Sequence, residues 1–441
     1  MSMQARREGD GSVTGMRLLR VLALGVVVGL CPASPLSAQL ALEHALGRMA
    51  PLFGKPQQYQ RKGEESIYAI ARRFGVSASA IHNANDGDLK AGDEVLLIPT
   101  ERIAPLPAWE AANRAGESAP PGSVSVVINL TERNLYVYRD ARPIRCYPVA
   151  IGMRGWETPT GEFTIANKRK NPTWFPPKWA IEEEPVPPGP NNPLGDRWMG
   201  LSAPGYGIHA TNAPSSVGRY VSHGCIRMYP EHAEELYELV RVGTPVRIVY
   251  EPVVFGYRAD DGVVYLAYHP DPYGLGEVEA REVRERLAEW GLAELADEQA
   301  VGAALQATRG TPTAVVGSSV KVTVDGKPIR FALAPIRRGD DWLVPAGPVA
   351  SALGAGMDIG PDANFVSMER DTQRVFLSPG DREALVNGQV VELSVGPQLA
   401  AGYPVVPVAA VARALGASVG FDQASNTVLI WDGGRGYGWA R

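Results

Sequence analysis

A duplication near the C-terminus constrains this chain more than any other feature. Leu343-Val344-Pro345, Val349, Leu353-Gly354-Ala355 and Met357 return 62 positions later as Val405-Val406-Pro407, Val411, Leu415-Gly416-Ala417 and Val419. The same offset carries Asp325-Gly326 onto Asn387-Gly388 and Asn364 onto Asn426. Two copies of one pattern read as two copies of one unit. Each copy reads as strands, a short helix stopped at a glycine, then a hairpin. At about 100–200 residues per domain, the 441-residue chain has room for further domains upstream.

Proline marks where those domains part. The 48 Gly and 37 Pro make up about a fifth of the chain, above the average but below the roughly 25% of low-complexity sequence. That predicts turn-rich, β-heavy domains joined by linkers. A net charge of −5 offers no footing for nucleic acid. Three Cys, with no CxxC, HExxH or GxxxxGK[ST], exclude a disulfide scaffold and the commonest zinc and nucleotide sites. At the N-terminus, Arg17 and Arg20 precede an apolar run over 21–30, followed by Pro32, Pro35 and Leu36-Ser37-Ala38. The run is short of the about 20 residues that span a bilayer and suits a secretory signal. Residues 1–38 are therefore expected to be a signal peptide cleaved after Ala38. The protein is expected in the periplasm or cell wall, with a membrane partner only if the signal stays uncleaved.

Four regions follow. In 59–100, Ile67, Ile70, Ala71 and Phe74 have helical spacing with Gly75 as stop. A second short helix carries Ile81, and a strand ends at Pro99, giving strand, helix, helix, strand. Residues 101–122, with Pro105, Pro107, Pro120 and Pro121, predict an extended linker. Residues 123–251 read as a mostly-β domain with one helix. Val124, Val126, Ile128 and Leu130 alternate as in a half-buried strand, and a helix is expected over 231–240. The proline-rich stretch 167–200, with Trp174, Trp179 and Trp198, predicts a lid or binding wall. Residues 252–312 predict a hairpin turning at Asp261-Gly262 and one helix over 278–304. The repeat occupies 313–432.

The chemistry concentrates between Ile208 and Met228. Two of the six His, His209 and His223, lie in the sixteen residues that precede Cys225. A thiol becomes a nucleophile when a nearby base or cation favours the thiolate, and a His held by a third group can be that base. Gly224 lets backbone approach a reacting carbonyl, and the amides of Gly224 and Cys225 are expected to face an oxyanion. If 222–228 is extended, His223, Cys225 and Arg227 share one face, with Arg227 a cation beside the sulfur or a substrate carboxylate. Cys146 reads as a small buried hydrophobe instead, and His44, His82, His232 and His269 as packed or surface residues.

Ser222-His223-Gly224-Cys225-Ile226-Arg227-Met228 resembles the catalytic motif of the YkuD-type L,D-transpeptidases. His209-Ala210-Thr211-Asn212 matches its upstream partner, and Gly152, Thr158–Phe163 and Pro176-Pro177 match elsewhere. The resemblance implies Cys225 as nucleophile and His209 as base, oriented by the Ala210 carbonyl. Ala210 stands where the family has Gly, which matters only if φ must be positive there. His223, Gly224 and Arg227 complete the expected catalytic set, while Ser222, Asn212, Tyr206 and Trp174 are read as substrate-facing. No cofactor or metal is implied. The implied reaction is ping-pong cross-linking of peptidoglycan stem peptides through a thioester. An L,D-carboxypeptidase, attachment of a protein to peptidoglycan, and a non-catalytic wall-binding protein are the alternatives.

Two further resemblances complete the chain. Gly63–Ile67, Ile70–Ser77, Asn83, Asn85, Leu89, Gly92 and Ile98-Pro99 resemble a LysM module, with Glu65-Ser66 where Asp-Thr is usual. That implies binding of N-acetylglucosamine-containing glycan strands, and that removing 39–100 weakens wall binding but spares catalysis. The repeat resembles the paired module named after the N-terminal domain of copper amine oxidases. With no His or Cys over 320–432, it offers no soft-metal site. The expected architecture is multidomain: a small αβ LysM-like module, a mostly-β catalytic domain and a C-terminal α+β repeat module.

Overall fold

A computed structural model describes residues 35–85, 89, 95–106, 122–177, 180, 182–307 and 309–433. The apolar run 21–30, Gly92, Trp179 and most of the expected linker lie outside the described residues. Among the described residues no helix is long and apolar enough to cross a membrane.

The catalytic region is built on an eight-stranded mixed sheet. Its order is Ile226–Arg227, Gly207–His209, Arg197–Leu201, Gly161–Lys170, Pro245–Val249, Val124–Asn129, Asn134–Arg139 and Arg142–Pro148. Arg133, at φ 58°, turns the chain between two of these strands, and Val126 pairs with Val137 across them. On one face Val126 and Ile128 pack with Leu135, Ile165, Val246 and Leu236, the last from the helix Pro230–Leu239. The alternation predicted a half-buried strand, but both faces of Val124–Asn129 are covered. Val127, Tyr136 and Tyr138 bury the opposite face against Ala104.

Ala104 belongs to the segment expected to be a linker, and that expectation is corrected for residues 101–106. Arg102–Ile103 is a strand, paired antiparallel with Ala50–Phe53. Ala50–Phe53 in turn runs parallel to Val253–Arg258, whose hairpin partner is Val263–Tyr268. Thr313–Val316 closes this five-stranded sheet. The cause is apolar: Ala50 and Ile103 find no partners in the small module and bury against Val254 and Ala267. The expected boundaries at 252 and 312 therefore fall inside one sheet.

Between Phe53 and Arg102 the chain makes a separate unit. Gln57–Gln60 and Val95–Ile98 pair antiparallel, with helices Ile67–Phe74 and Ala78–Ala84 between them. Ser66 and Ser77 cap these helices, and Gly75 stops the first at φ 64°. The unit sits on the catalytic region. Arg72 forks onto Glu231 with two 2.8 Å hydrogen bonds, and a side chain at Gly218 would collide with Ser77.

The helix expected over 278–304 is broken into Ala280–Ala288, a 3-10 turn at Ala293–Leu295, and Glu298–Ala307. Gly291 at φ 65° ends the first helix, and Asp297 caps the last through the amides of Gln299 and Ala300.

The duplicated units exchange strands. The hairpin Ser418–Asp422/Thr427–Trp431 of the second copy pairs with Lys321–Val324 of the first. Asp341–Pro345 and Tyr403–Pro407 pair antiparallel so that Val344 faces Val406, its own image in the repeat. Position 341 caps the helix Val408–Ala414: the Asp341 carboxylate accepts from Ala409 (3.0 Å) and Ala410 (3.3 Å). The equivalent Tyr403 does the reverse, its hydroxyl accepting from Gly347 at 2.9 Å. The helix Pro35–Gly47 inserts Leu42 and Leu46 into this same core.

Candidate functional site

Cys225 ends a turn between Tyr220–Ser222 and Ile226–Arg227. That turn requires glycine: Gly224 has φ 104°, and a Cβ there would lie 2.6 Å from the Tyr206 ring. Buried Ser222 donates to the Cys225 carbonyl at 2.6 Å and accepts from the Gly224 amide at 3.2 Å. Thr158 Oγ1 donates to the Gly224 carbonyl and accepts from the Gly152 amide, both at 2.9 Å. The Gly224 amide, expected to face an oxyanion, is thus directed at Ser222. The Cys225 sulfur lies 3.6 Å from the Gly205 carbonyl. Burial raises its pKa, opposed by the Gly207 backbone and the Arg227 cation.

His209 ends the strand beside this turn. Gly207–His209 runs parallel to Ile226–Arg227, so Ile208 faces Ile226 and His209 faces Arg227. His209 Nδ1 is 2.5 Å from the Ala210 carbonyl. A carbonyl only accepts, so Nδ1 carries the hydrogen and Nε2 keeps the lone pair. The ring stacks on Trp198 at 5.9 Å, and the Trp198 indole donates to Asn167 at 3.0 Å. Burial and then Arg227 lower the His209 pKa to about 4, against the opposing pull of the Ala210 and Leu194 backbone. Ala210 is not among the described non-glycine residues with positive φ. Its methyl fits because Gly195 lies opposite, where a Cβ would come within 2.5 Å of it.

Arg227 is partly buried, and its Nε has no hydrogen-bond partner among the described residues. Burial lowers its pKa, while Cys225 raises it. His223 meets the edge of Trp156 at 4.9 Å, and burial and Arg227 lower its pKa too. The site therefore holds one cation among neutral groups.

The turn and its neighbouring strand bring together Cys225, His209, Ala210, Ser222, Gly224, Tyr206 and Arg227, with His223 at the rim. Asn212 and Trp174 make none of the contacts described around Cys225 or His209. Asn212 donates to the Asn191 carbonyl at 3.0 Å, and the Trp174 backbone pairs with Val186. Sequence reasoning missed Thr158, Trp198 and Trp156 as site residues. Thr158 and Trp198 lay in segments already singled out, but no spacing marks their contacts with Gly224 and His209. Cys146 is half-buried against the face of Val127 and Tyr136, with its pKa raised by desolvation to about 12, far from a reactive thiol. Among the described residues, no three His, Cys, Asp or Glu converge as metal ligands.

Residues 123–248 match the family model described as the L,D-transpeptidase catalytic domain, and 323–430 that of the copper amine oxidase N-terminal domain. Three relatives bear provisional names as L,D-transpeptidases. YkuD of Bacillus licheniformis is 31% identical over 194 residues, covering 43% of this chain and 97% of that protein. YqjB of Bacillus subtilis is 41% identical over 138 residues, covering 30% and 75%. YcfS of Escherichia coli is 35% identical over 205 residues, covering 43% and 60%. Among solved structures, the catalytic domain of an E. faecium L,D-transpeptidase aligns at 25% identity and a TM-score of 0.25, covering 30% of this chain and 100% of that one.

Proposed function

The chain belongs to the YkuD-type family of L,D-transpeptidases, and from that premise we propose that it cross-links peptidoglycan through a thioester on Cys225. The observation that carries the residue assignment is the His209 ring, buried, hydrogen-bonded through Nδ1 to Ala210, and mounted on the strand next to the cysteine turn. The buried imidazole and the half-buried thiol both rest neutral, so the proton moves as attack proceeds. The sulfur turns from the Gly205 carbonyl toward His209, its proton passes to Nε2, and Sγ bonds to the donor peptide carbonyl. The C–N bond breaks, and the departing amine takes the proton from His209. An acceptor amine then attacks the thioester, gives a proton back through His209, and frees the thiol. Arg227 supplies fixed positive charge beside the sulfur or a stem carboxylate.

The unit at 55–100 is read as a LysM glycan-binding module, supported by its strand–helix–helix–strand order. Held near the site, it raises local substrate concentration. A wall substrate places the protein in the periplasm or wall, and residues 1–38 are read as its export signal. The C-terminal repeat is read as an interaction domain.

Purified muropeptides incubated with the enzyme test the activity, with dimers lacking one D-Ala as the expected product by mass spectrometry. Cys225→Ala should form none, and a carbapenem should add mass to the wild type only. A Cys225→Ala protein that still takes the adduct would overturn the assignment of the nucleophile.

A further inference from the structure

The catalytic turn is braced from outside the matched domain. After the strand Val263–Tyr268, the chain doubles back over 269–276 and lays Tyr273 into the catalytic core, 6% exposed. Asp271 shapes this strap by accepting from the amides of Tyr273 (3.1 Å), Gly274 (2.8 Å) and Gly276 (2.9 Å), and from the Tyr250 hydroxyl. The Tyr273 ring stacks on Tyr250 at 5.5 Å. Its hydroxyl oxygen accepts from the buried Thr158 amide at 3.1 Å. Thr158 is the residue whose own hydroxyl joins the Gly152 amide to the Gly224 carbonyl.

We propose that Tyr273 is a positioning residue for the nucleophile: by holding the Thr158 amide it fixes the threonine that ties down Gly224, and so sets the turn that presents Cys225. The chain of bonds runs Tyr273 to Thr158 to Gly224, one residue from the sulfur. Without the phenol oxygen a buried amide loses its acceptor, and that loss is relieved by movement of the loop bearing Thr158. A small displacement of a reacting group is enough to slow chemistry without changing binding. The proposal rests on Cys225 being the nucleophile, but not on which acceptor amine it serves.

Tyr273→Phe tests it, because it removes one oxygen and keeps the ring on Tyr250. Stopped-flow acylation by a carbapenem gives the limiting rate and the half-saturation concentration. The limiting rate should fall about tenfold, with half-saturation little changed. Thr158→Val should fall similarly, while Thr158→Ser, which keeps the hydroxyl, should stay near wild type. The double variant Tyr273→Phe/Thr158→Val should be little slower than either single one, since both cut the same chain. A wild-type limiting rate in Tyr273→Phe, or losses that multiply in the double variant, would overturn the proposal. A lowered melting temperature with unchanged acylation would also overturn it, by showing a purely structural role. Acylation reads the cysteine alone, so failure to cross-link muropeptides would count against the functional reading and leave this result intact.

Discussion

At the scale of single residues, the site runs on burial. His209 is held near a pKa of about 4 by desolvation and Arg227, against about 6.5 when unfolded. The acid limb of carbapenem acylation should therefore lie below pH 5, because the imidazole stays neutral until then. A limb near 6.5 would mean that a solvated His supplies the base. Stability follows with a definite sign. Between about 6.5 and about 4 the unfolded state binds the proton that the folded state refuses, so stability falls as pH falls through that window, by up to about 3 kcal/mol. Replacing His209 with Ala should cost about 10²–10⁴-fold in acylation. His223→Ala should cost clearly less, since that ring lies at the rim of the site against the edge of Trp156. The His–Cys–Arg set was legible as a motif. The Tyr206 ring that makes Gly224 obligatory was not, because ring and glycine meet only when two loops close on each other.

At the scale of elements, periodicity located the helices with good caps and misjudged elements whose neighbours come from afar. Ile67–Phe74 carries its own start and stop in Ser66 and Gly75. Val124–Asn129 looked half-buried because its second cover, Ala104, arrives from the far side of an inserted unit. The repeat helices show the same dependence. Each takes its cap from the opposite copy, Asp341 for one and Tyr403 for the other. Asp341→Ala should therefore lower stability by about 1–2 kcal/mol, read by denaturant unfolding. It should leave acylation of Cys225 unchanged, because the repeat makes none of the hydrogen bonds described around Cys225 or His209. A variant as stable as wild type would show that the cap contributes nothing.

At the scale of the whole molecule, the modules do not lie on the chain like beads. Removing 39–100, expected from sequence to be harmless to catalysis, also removes Ala50–Phe53 from the middle of a sheet and Leu42 and Leu46 from the repeat core. That deletion should fail to fold. Gly54 and Thr100 lie side by side, so close that a Cβ at 54 would meet the Thr100 carbonyl at 2.2 Å. Excising 55–100 and joining the ends with a two-residue turn should keep the hairpin and fold. Such a protein should turn over small muropeptides and bind isolated walls weakly. The Arg72–Glu231 pair lost with it is about half exposed and contributes little. Equal wall binding with and without the unit would remove the glycan-tether reading.

By itself, the sequence determined what is local. The duplication, the helix stop at Gly75, the β-heavy class and the motif of Cys225 with its two His were all written within short stretches, where spacing alone decides which side chains share a face. Only the tertiary structure decided what depends on distant partners: that Arg102–Ile103, at the head of a supposed linker, is a strand, that the small unit interrupts a hairpin, and that Tyr273 reaches Thr158 across 115 positions. Apolar residues are indifferent to the sequence distance of the surface that buries them. Ala50, Ile103 and Leu42 therefore went to whichever surface the finished fold left uncovered.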